Sequence, residues 1–203
     1  MPLTVANLCK SYGQAPIFQH ISFCADAGAF AITGAPGSGK STLFRMIAGL
    51  EAPDSGRVLL DGQNLYTTPG LAKRQVGFLP QRPVLDGDAT AADVLHLCAQ
   101  LSGEKDRLRR IYQVERLLHQ LGLEGEARQK TALFTLGMKK RLYLAACLIK
   151  HPRVLLLDAP DQGLNGYERQ LVSAVIAQQA ASIPVLCALQ NPAAFSLPVL
   201  AAL

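Results

Sequence analysis

A glycine-rich segment, GAPGSGKST at residues 34–42, constrains this chain more than any other feature. It follows an apolar run at 29–34 that is typical of a β-strand, and it leads into 41–50, where apolar residues recur with helical spacing. Glycines let backbone N–H groups curl around phosphate oxygens, and the start of the following helix adds partial positive charge. A strand, such a loop and a helix together predict a site for the phosphates of a nucleotide.

Three side chains and two glycines give this site its expected chemistry. The segment fits the pattern G-x-x-x-x-G-K-[ST], in which Lys40 can reach the β- and γ-phosphates and the Ser41 hydroxyl can take one position around Mg²⁺. Gly34 and Gly39 stand at the two glycine positions of that pattern. Asp158 ends a second apolar strand, where its carboxylate can help to hold the same ion. We therefore expect ATP and Mg²⁺ as cofactors.

The composition indicates a single soluble domain of 203 residues, with 49% apolar residues, 17% charged residues and a net charge of +5. Basic residues cluster at 107–110 and at 139–141, and we interpret both clusters as solvated helix faces. Because aromatic residues do not interleave with these charges, we expect no nucleic-acid partner. The first residues lack the apolar core of a signal peptide, and polar residues and prolines interrupt the apolar stretch 183–203. We therefore expect a cytoplasmic protein.

The cysteines and histidines do not indicate a metal site, because neither set shows ligand spacing. Most of the five cysteines lie in apolar runs, and we interpret them as small core residues in a reducing compartment: Cys9, Cys24, Cys98, Cys147 and Cys187.

The hydrophobic periodicity predicts seven strands and five helices. Strands are expected at 3–9, 17–24, 29–34, 57–62, 75–81, 153–158 and 184–189, and helices at 41–50, 91–101, 105–121, 137–150 and 167–181. The middle of the chain is mostly helical and is flanked by strand-rich segments. We expect one domain over residues 1–203 with a helical subdomain at about 85–150.

Further motifs complete an ordered set along the chain. They are Tyr12 in LCKSYGQ, Gln81 in the dipeptide PQ, and FTLGMKKRLYLAACLIKHPRVLLLD ending at Asp158. Together with the glycine-rich loop they resemble the ATPase subunits of ATP-binding cassette (ABC) transporters over nearly the whole chain. Thr135 and Gly137 occupy the serine and second-glycine positions of the family's L-S-G-G-Q signature, in a form similar to the S-L-G-M-K variant of exporter-type cassettes.

This resemblance implies an α/β fold with a P-loop NTPase core, an antiparallel β subdomain and an inserted α-helical subdomain. The family works as head-to-tail dimers, in which ATP lies between the phosphate loop of one cassette and the signature of the other. Tyr12 would stack on adenine, and Thr135 and Gly137 would serve a nucleotide held by a second cassette, in a heterodimer or a homodimer. A membrane permease would dock near Gln81 and the helical segment.

These considerations assign two sets of residues and leave the catalytic set empty. The nucleotide-binding residues are Tyr12, Gly34, Pro36, Gly37, Ser38, Gly39, Lys40, Ser41, Thr42, Gln81, Thr135 and Gly137. The Mg²⁺ ligands are Ser41, Gln81 and Asp158.

Three positions near the expected γ-phosphate depart from the family pattern. Ala159 stands where the family has the glutamate that polarises the attacking water, Gln190 best matches the position of a histidine, and Asn165 replaces the aspartate of the motif S/A-L-D. A positioned general base contributes about 10²–10⁴-fold to a rate, so its loss should leave binding and remove most turnover.

The sequence therefore predicts the ATP-binding subunit of an ABC transporter on the cytoplasmic face of a membrane, where it drives a permease. Its own hydrolysis is expected to be weak or dependent on a partner. Two alternatives stay open: Asp161 replaces the missing base, or the chain is an ATP-gated switch for a soluble partner or nucleic acid, unconnected to transport.

Overall fold

Two β-sheets form the framework of residues 2–68 and 70–203, which this computed structural model describes. The antiparallel sheet has the strand order β2-β1-β4-β5, with β1 at Leu3–Tyr12, β2 at Ala15–Ala25, β4 at Ser55–Leu60 and β5 at Gln63–Asn64. The parallel sheet has the order β6-β7-β8-β3-β9, with β3 at Gly28–Thr33, β6 at Val76–Leu79, β7 at Val154–Asp158, β8 at Pro184–Leu189 and β9 at Val199–Ala202.

The helices follow the expected order, with one short addition before β6. They are α1 at Lys40–Ile47, α2 at Leu71–Gln75, α3 at Ala91–Leu101, α4 at Arg107–Gln120, α5 at Leu136–Ile149 and α6 at Gly166–Ala180. The five-residue helix α2 was not expected. The other helices confirm the predictions from periodicity, with shifts of a few residues at their ends.

The strand β7 shows how the parallel sheet is buried on both faces. Val154 and Leu156 pack with α1 and the antiparallel sheet, whereas Leu155 and Leu157 pack with the helices on the opposite side. Such two-sided burial is why the strand is a continuous apolar run instead of an alternating one. Asp158 ends this strand, on the same edge of the sheet as the loop after β3. The topology thus brings the predicted phosphate loop and the predicted Mg²⁺ ligand to one edge.

The helical middle of the chain shares a core with the parallel sheet. Leu95 of α3, Leu118 of α4 and Leu144 of α5 belong to the same apolar cluster as Leu155 and Val185 of the sheet. This arrangement confirms an α/β fold with a helical segment inserted between β6 and β7. The treatment of residues 85–150 as a subdomain stays a prediction.

The strand β9 had no counterpart among the predicted elements. It pairs in parallel with β3, joining Ala31 to Val199 and Thr33 to Ala202. The apolar run that contains it is short and lacks period-two alternation, and its pairing partner is more than 160 residues away in sequence. Such a long-range pairing leaves little trace in the local pattern.

Burial of the cysteines confirms the core interpretation only in part. Cys147 and Cys187 are buried, Cys9 and Cys98 are partly exposed, and Cys24 is exposed on the edge strand β2, so the interpretation is wrong for Cys24. All five thiols are free. Within the described ranges, no helix is both long enough and apolar enough to span a bilayer.

Candidate nucleotide-binding site

The glycine-rich segment forms the loop between β3 and α1. Gly39 precedes α1 with a φ of 97°, a conformation that favours glycine. A Cβ atom added to Gly39 would lie 2.5 Å from Cγ2 of Ile17, so this position also has no room for a side chain. The first turn of α1 has no capping side chain and no acidic residue. Its backbone N–H groups are therefore available to an anion held in the loop.

Lys40 is folded back onto the phosphate loop. Its ammonium group donates hydrogen bonds to the carbonyl oxygens of Gly34 at 2.7 Å and Ala35 at 2.8 Å, and to Oγ of Ser38 at 3.3 Å. Partial burial lowers the pKa of Lys40, an effect that the negative charge of Asp158 opposes. The ammonium group must exchange some of these loop contacts for phosphate oxygens when a nucleotide binds.

Asp158 lies opposite the start of α1 and is only 5% exposed. Burial raises the pKa of this carboxyl, while a hydrogen bond with Ser41 and the positive charges of Lys140, Lys40 and Arg45 oppose the rise. A hydroxyl and a carboxylate thus meet at the phosphate loop. This pair is the protein part of a typical Mg²⁺ site, in which one or two carboxylates act together with substrate phosphates.

A cavity of about 530 Å³ joins these groups. Its volume falls within the usual range of small-molecule sites. It unites residues from the first strand to the last part of the chain: Tyr12, Ile17, Pro36, Gly37, Gly39, Lys40, Ser41, Thr42, Gln81, Asp158, Ala159, Asp161, Gln162, Ala188 and Gln190. Most of the residues predicted from the sequence to contact a nucleotide therefore line a single cavity.

Gln81 lines the cavity two residues after β6 and contacts a residue that the sequence did not single out. Its Nε2 donates a hydrogen bond to Oε1 of Gln162 at 3.1 Å. Gln162 belongs to the turn that follows Asp158, so the two glutamines close one side of the cavity. Gln162 has no distinctive local motif, and only the tertiary contact reveals it.

The turn after Asp158 presents a methyl group where the family has a glutamate. Ala159 has a φ of 48°, and its N–H donates to the carbonyl of Ala188 at 3.0 Å. Gln190, which best matches the family's histidine in the sequence, also lines the cavity. The carboxylates among the lining residues are those of Asp158 and Asp161. The cavity therefore contains the expected binding groups and two of the three departures that the sequence indicated, whereas the third, Asn165, caps α6 and is not among the lining residues.

Comparison with known proteins assigns the family. Residues 18–162 match the sequence model of the protein family described as ABC transporter. The chain belongs to this family. The matched range includes the phosphate loop, Gln81, the signature segment and Asp158, which are the elements of the cavity and its surroundings.

Similar proteins and structures extend this assignment. The chain is 33% identical over 171 residues to the Nod factor export ATP-binding protein I of Sinorhizobium fredii (strain NBRC 101917 / NGR234), which covers 84% of this chain and 50% of that protein. It is 32% identical over 165 residues to the probable multidrug ABC transporter ATP-binding protein YbhF of Escherichia coli (strain K12), covering 81% of this chain and 28% of that protein. The chain thus spans about half the length of these relatives, or less. A solved structure described as an ATP binding subunit of an ABC transporter superposes with a TM-score of 0.83 at 25% identity, covering 93% of this chain and 79% of that one.

Two basic residues of this ABC cassette contradict the prediction of a solvated face at 139–141. Lys140 and Arg141 are only 1% and 5% exposed. Lys140 donates a hydrogen bond to the carbonyl of Ala159, beneath the cavity. Burial lowers the pKa of Lys140 to about 8, against the opposing charges of Asp161 and Asp158. The apolar run that follows these two residues could have predicted their burial, because a helix that is apolar on all sides is buried.

Arg141 connects α5 of the cassette to its neighbours. Its guanidinium donates to Oε1 of Glu168 at 2.7 Å and to the carbonyl oxygens of Leu121 at 2.6 Å and Gly122 at 2.7 Å. Glu168 also accepts from the backbone N–H of Asn165 at 2.9 Å, which caps α6. The buried Arg141 therefore holds the start of α6 against α5, the helix that begins with the signature residues. The other basic cluster, at 107–110, is mostly exposed, as predicted.

The signature residues of the cassette lie at the start of α5, beside the start of α6. Oγ1 of Thr135 accepts a hydrogen bond from the Met138 N–H at 3.2 Å and caps α5. A Cβ atom on Gly137 would lie 2.6 Å from the carbonyl oxygen of Gly163, so this glycine serves close packing within the chain. The role of Thr135 and Gly137 toward a nucleotide stays a prediction, since it requires a second cassette.

Proposed function

We propose that this chain is the ATP-binding subunit of an exporter-type ABC transporter. It binds MgATP in the 530 Å³ cavity, and its own hydrolytic site is impaired. Binding of ATP, more than its hydrolysis, is the contribution of this chain to the conformational cycle of a permease on the cytoplasmic face of a membrane.

One observation carries the proposal: the cavity combines an intact phosphate-binding end with an altered catalytic end. Lys40, Ser41 and Asp158 face the same space as Ala159 and Gln190. The first three supply charge and ligands for phosphates and Mg²⁺. Neither a methyl group nor an amide can accept a proton from an attacking water at neutral pH. Binding should therefore persist where turnover is lost.

The residues at the site fit Mg²⁺ only together with a nucleotide. In the described part of the chain, no group of three or more His, Cys, Asp or Glu side chains is arranged to hold a metal ion. Ser41 and Asp158 offer one hydroxyl and one carboxylate, and Gln81 contributes an amide at the same cavity. Since Mg²⁺ commonly completes its octahedron with waters and phosphate oxygens, this set suits MgATP better than the free ion.

Asp161 supports a second version of the proposal, in which the site retains slow hydrolysis. Its side chain lines the cavity, and its negative charge raises the pKa of Lys140 against the effect of burial. Asp161 is separated from Ala159 by Pro160, so a water that it activates would lie elsewhere than in the family pattern. The two versions differ in whether any turnover depends on Asp161.

A second cassette is the partner that the signature segment supports. Thr135 is exposed at the start of α5, next to the exposed Leu136, and neither residue lines this chain's cavity. In a head-to-tail pair this surface would cover the nucleotide of the other cassette. If the other cassette carries the glutamate, this chain completes a competent site while its own remains impaired.

A second cavity supports the permease as the other partner. An apolar groove of about 680 Å³ lies between the end of α1, α2, β6, α3 and α5. Its floor includes Phe78, Val94 and Tyr143, and Lys73 and Lys150 lie among its lining residues. The groove suits a short helix from a cytoplasmic loop of the permease, with apolar side chains facing inward and an acidic residue near the lysines.

Thiol labelling tests the groove, because Cys98 lines it, whereas Cys24 is exposed on β2 and is not among its lining residues. In membrane vesicles that carry the assembled transporter, maleimide labelling of Cys98 should be slower than in the purified chain. Labelling of Cys24 should be equally fast in both, and Cys98→Ser identifies the groove signal. Equal labelling of Cys98 in both samples would refute docking at this groove.

Calorimetry and phosphate release test the central proposal. The purified chain with Mg²⁺ should bind ATP and release phosphate at roughly 0.001–0.1 s⁻¹, which is a typical enzyme rate of about 10 s⁻¹ reduced by the contribution of a general base. Release near 10 s⁻¹ would contradict impairment. If Asp161→Asn abolishes this slow release without changing ATP affinity, the remaining turnover depends on Asp161 and the second version replaces the first.

A further inference from the structure

Tyr12 is fixed at the rim of the cavity by two charged side chains. Its hydroxyl donates to Oε1 of Glu51 at 2.5 Å and accepts from the guanidinium of Arg45 at 3.2 Å. The two charged residues also pair with each other, with Nε of Arg45 3.0 Å from Oε2 of Glu51. The hydrogen bond from Tyr12, together with those from Arg45 and Lys10, lowers the pKa of Glu51. The ring is therefore held through its oxygen by a closed set of three bonds.

Backbone and side-chain contacts hold Glu51 itself in place. Its carbonyl oxygen accepts a hydrogen bond from the hydroxyl of Tyr66 at 3.1 Å, and the same hydroxyl also contacts the carbonyl of Met46. Lys10 lies 3.4 Å from the Glu51 carboxylate. Since Glu51 is attached to both the β1 side and the end of α1, the position of the Tyr12 hydroxyl is set by rigid elements.

The Tyr12 ring has a lysine over one face, and the ring also lines the cavity. The ammonium of Lys10 lies over the ring at 5.5 Å from its centroid, within the range of a cation–π contact. Tyr12 nevertheless lines the nucleotide cavity and is 46% exposed. An aromatic ring that is held at its oxygen and backed by a cation still offers a surface on which a flat base can stack.

We propose that Glu51 and Arg45 are positioning residues that hold the Tyr12 ring as the platform for the nucleotide base. This inference rests on the proposed binding of ATP in the cavity. Arg45 has a further link, because it also donates to Oγ1 of Thr42 at 3.2 Å, in the first turn of α1 that follows the phosphate loop. Arg45 thus connects Tyr12, where the base is expected to lie, with the first turn of α1, where the phosphates are expected to lie. Among the described residues, the carboxylate of Glu51 has no bond to that turn.

Two ligands separate the two ends of the site: ATP, and inorganic tripolyphosphate, which has the phosphates without a base. Titration calorimetry with Mg²⁺ should show a roughly two- to tenfold weaker ATP affinity for Glu51→Ala, the usual cost of immobilising one more side chain on binding. Tripolyphosphate affinity should be unchanged. Glu51→Gln keeps an acceptor for the tyrosine hydroxyl and should retain most of the ATP affinity.

A double-mutant cycle shows whether Glu51 acts through Tyr12. Tyr12→Phe removes the hydroxyl and should weaken ATP binding about as much as Glu51→Ala. In the Tyr12→Phe background, Glu51→Ala should cause no further loss. Additive losses, or an equal loss of ATP and tripolyphosphate affinity, would overturn the positioning role, as would an unchanged ATP affinity in Glu51→Ala. Failure of the wild-type chain to bind either ligand would overturn the proposed function as well.

Discussion

Replacing the buried Lys140 with methionine should stabilise the protein at neutral pH. Lys140 is 1% exposed, and burial lowers its pKa from 10.5 to about 8 in spite of the charges of Asp161 and Asp158. At 1.36 kcal/mol per pKa unit, the charged form costs on the order of 3 kcal/mol more in the folded chain than in water. Because the lowered pKa already includes the attraction of the two carboxylates, burial outweighs that attraction.

The pH dependence follows from the sign of this change. Below about pH 8 both folded and unfolded chains carry the Lys140 charge, and the cost is fully present. Between about pH 8 and 10.5 the unfolded chain binds more protons than the folded one, so the free energy of unfolding of the wild type rises with pH. The methionine variant lacks this rise. Its advantage should therefore shrink toward pH 10.

The expected advantage is smaller than the electrostatic cost alone. Lys140→Met also removes the hydrogen bond to the carbonyl of Ala159, and a bond of this kind contributes about 1.5–3 kcal/mol when one partner is charged. That carbonyl keeps the N–H of Gln162 as a donor at 3.2 Å, so it is not left unpaired. We expect Lys140→Met to be up to about 1.5 kcal/mol more stable at pH 7.

Urea unfolding at pH 7 and pH 10 measures both parts of this expectation. Lys139→Met, next in the helix and partly exposed, is the matched control and should alter stability little at either pH. A difference between Lys140→Met and wild type that stays constant from pH 7 to pH 10 would refute the electrostatic reasoning. A loss of more than 2 kcal/mol in Lys140→Met at pH 7 would show that the attraction of Asp161 and Asp158 for the ammonium, with its hydrogen bond to Ala159, outweighs the cost of burial.

Four further outcomes are expected at the cavity and the signature helix. Lys40→Ala should lower ATP affinity at least tenfold in calorimetry, because a charge-assisted bond to phosphate is worth about 1.5–3 kcal/mol; unchanged affinity would refute the phosphate-loop assignment. Ala159→Glu should raise phosphate release at least tenfold while Ala159→Gln should not, since only the carboxylate can act as a base. Gly137→Ala should lower the urea midpoint, because its Cβ would lie 2.6 Å from the carbonyl of Gly163, whereas Gly125→Ala, with open space around it, should not. The chain has no tryptophan, so Tyr12→Trp supplies a single reporter whose fluorescence should be quenched by ATP and unaffected by tripolyphosphate.

The sequence by itself determined the phosphate loop and most of the helices and strands. These features are local: the loop chemistry depends on adjacent glycines, on Lys40 and on Ser41, and the elements follow from periodicity within about ten residues. The family resemblance added the assignments of Tyr12 and Gln81, which no spacing rule supplies. The comparisons support the same family through residues 18–162.

Only the tertiary structure decided which charges are buried and what they contact. Lys140 and Arg141 belong to a basic run that would be solvated on an isolated helix. In the fold, α5 packs between the sheet and the other helices. The carbonyl of Ala159 accepts a hydrogen bond from Lys140, and the carboxylate of Glu168 accepts one from Arg141. The bonds of Glu51 to Tyr12 and of Gln81 to Gln162 join residues 39 and 81 positions apart. Contacts at such separations depend on the order of strands in two sheets, which a local pattern of side chains does not encode.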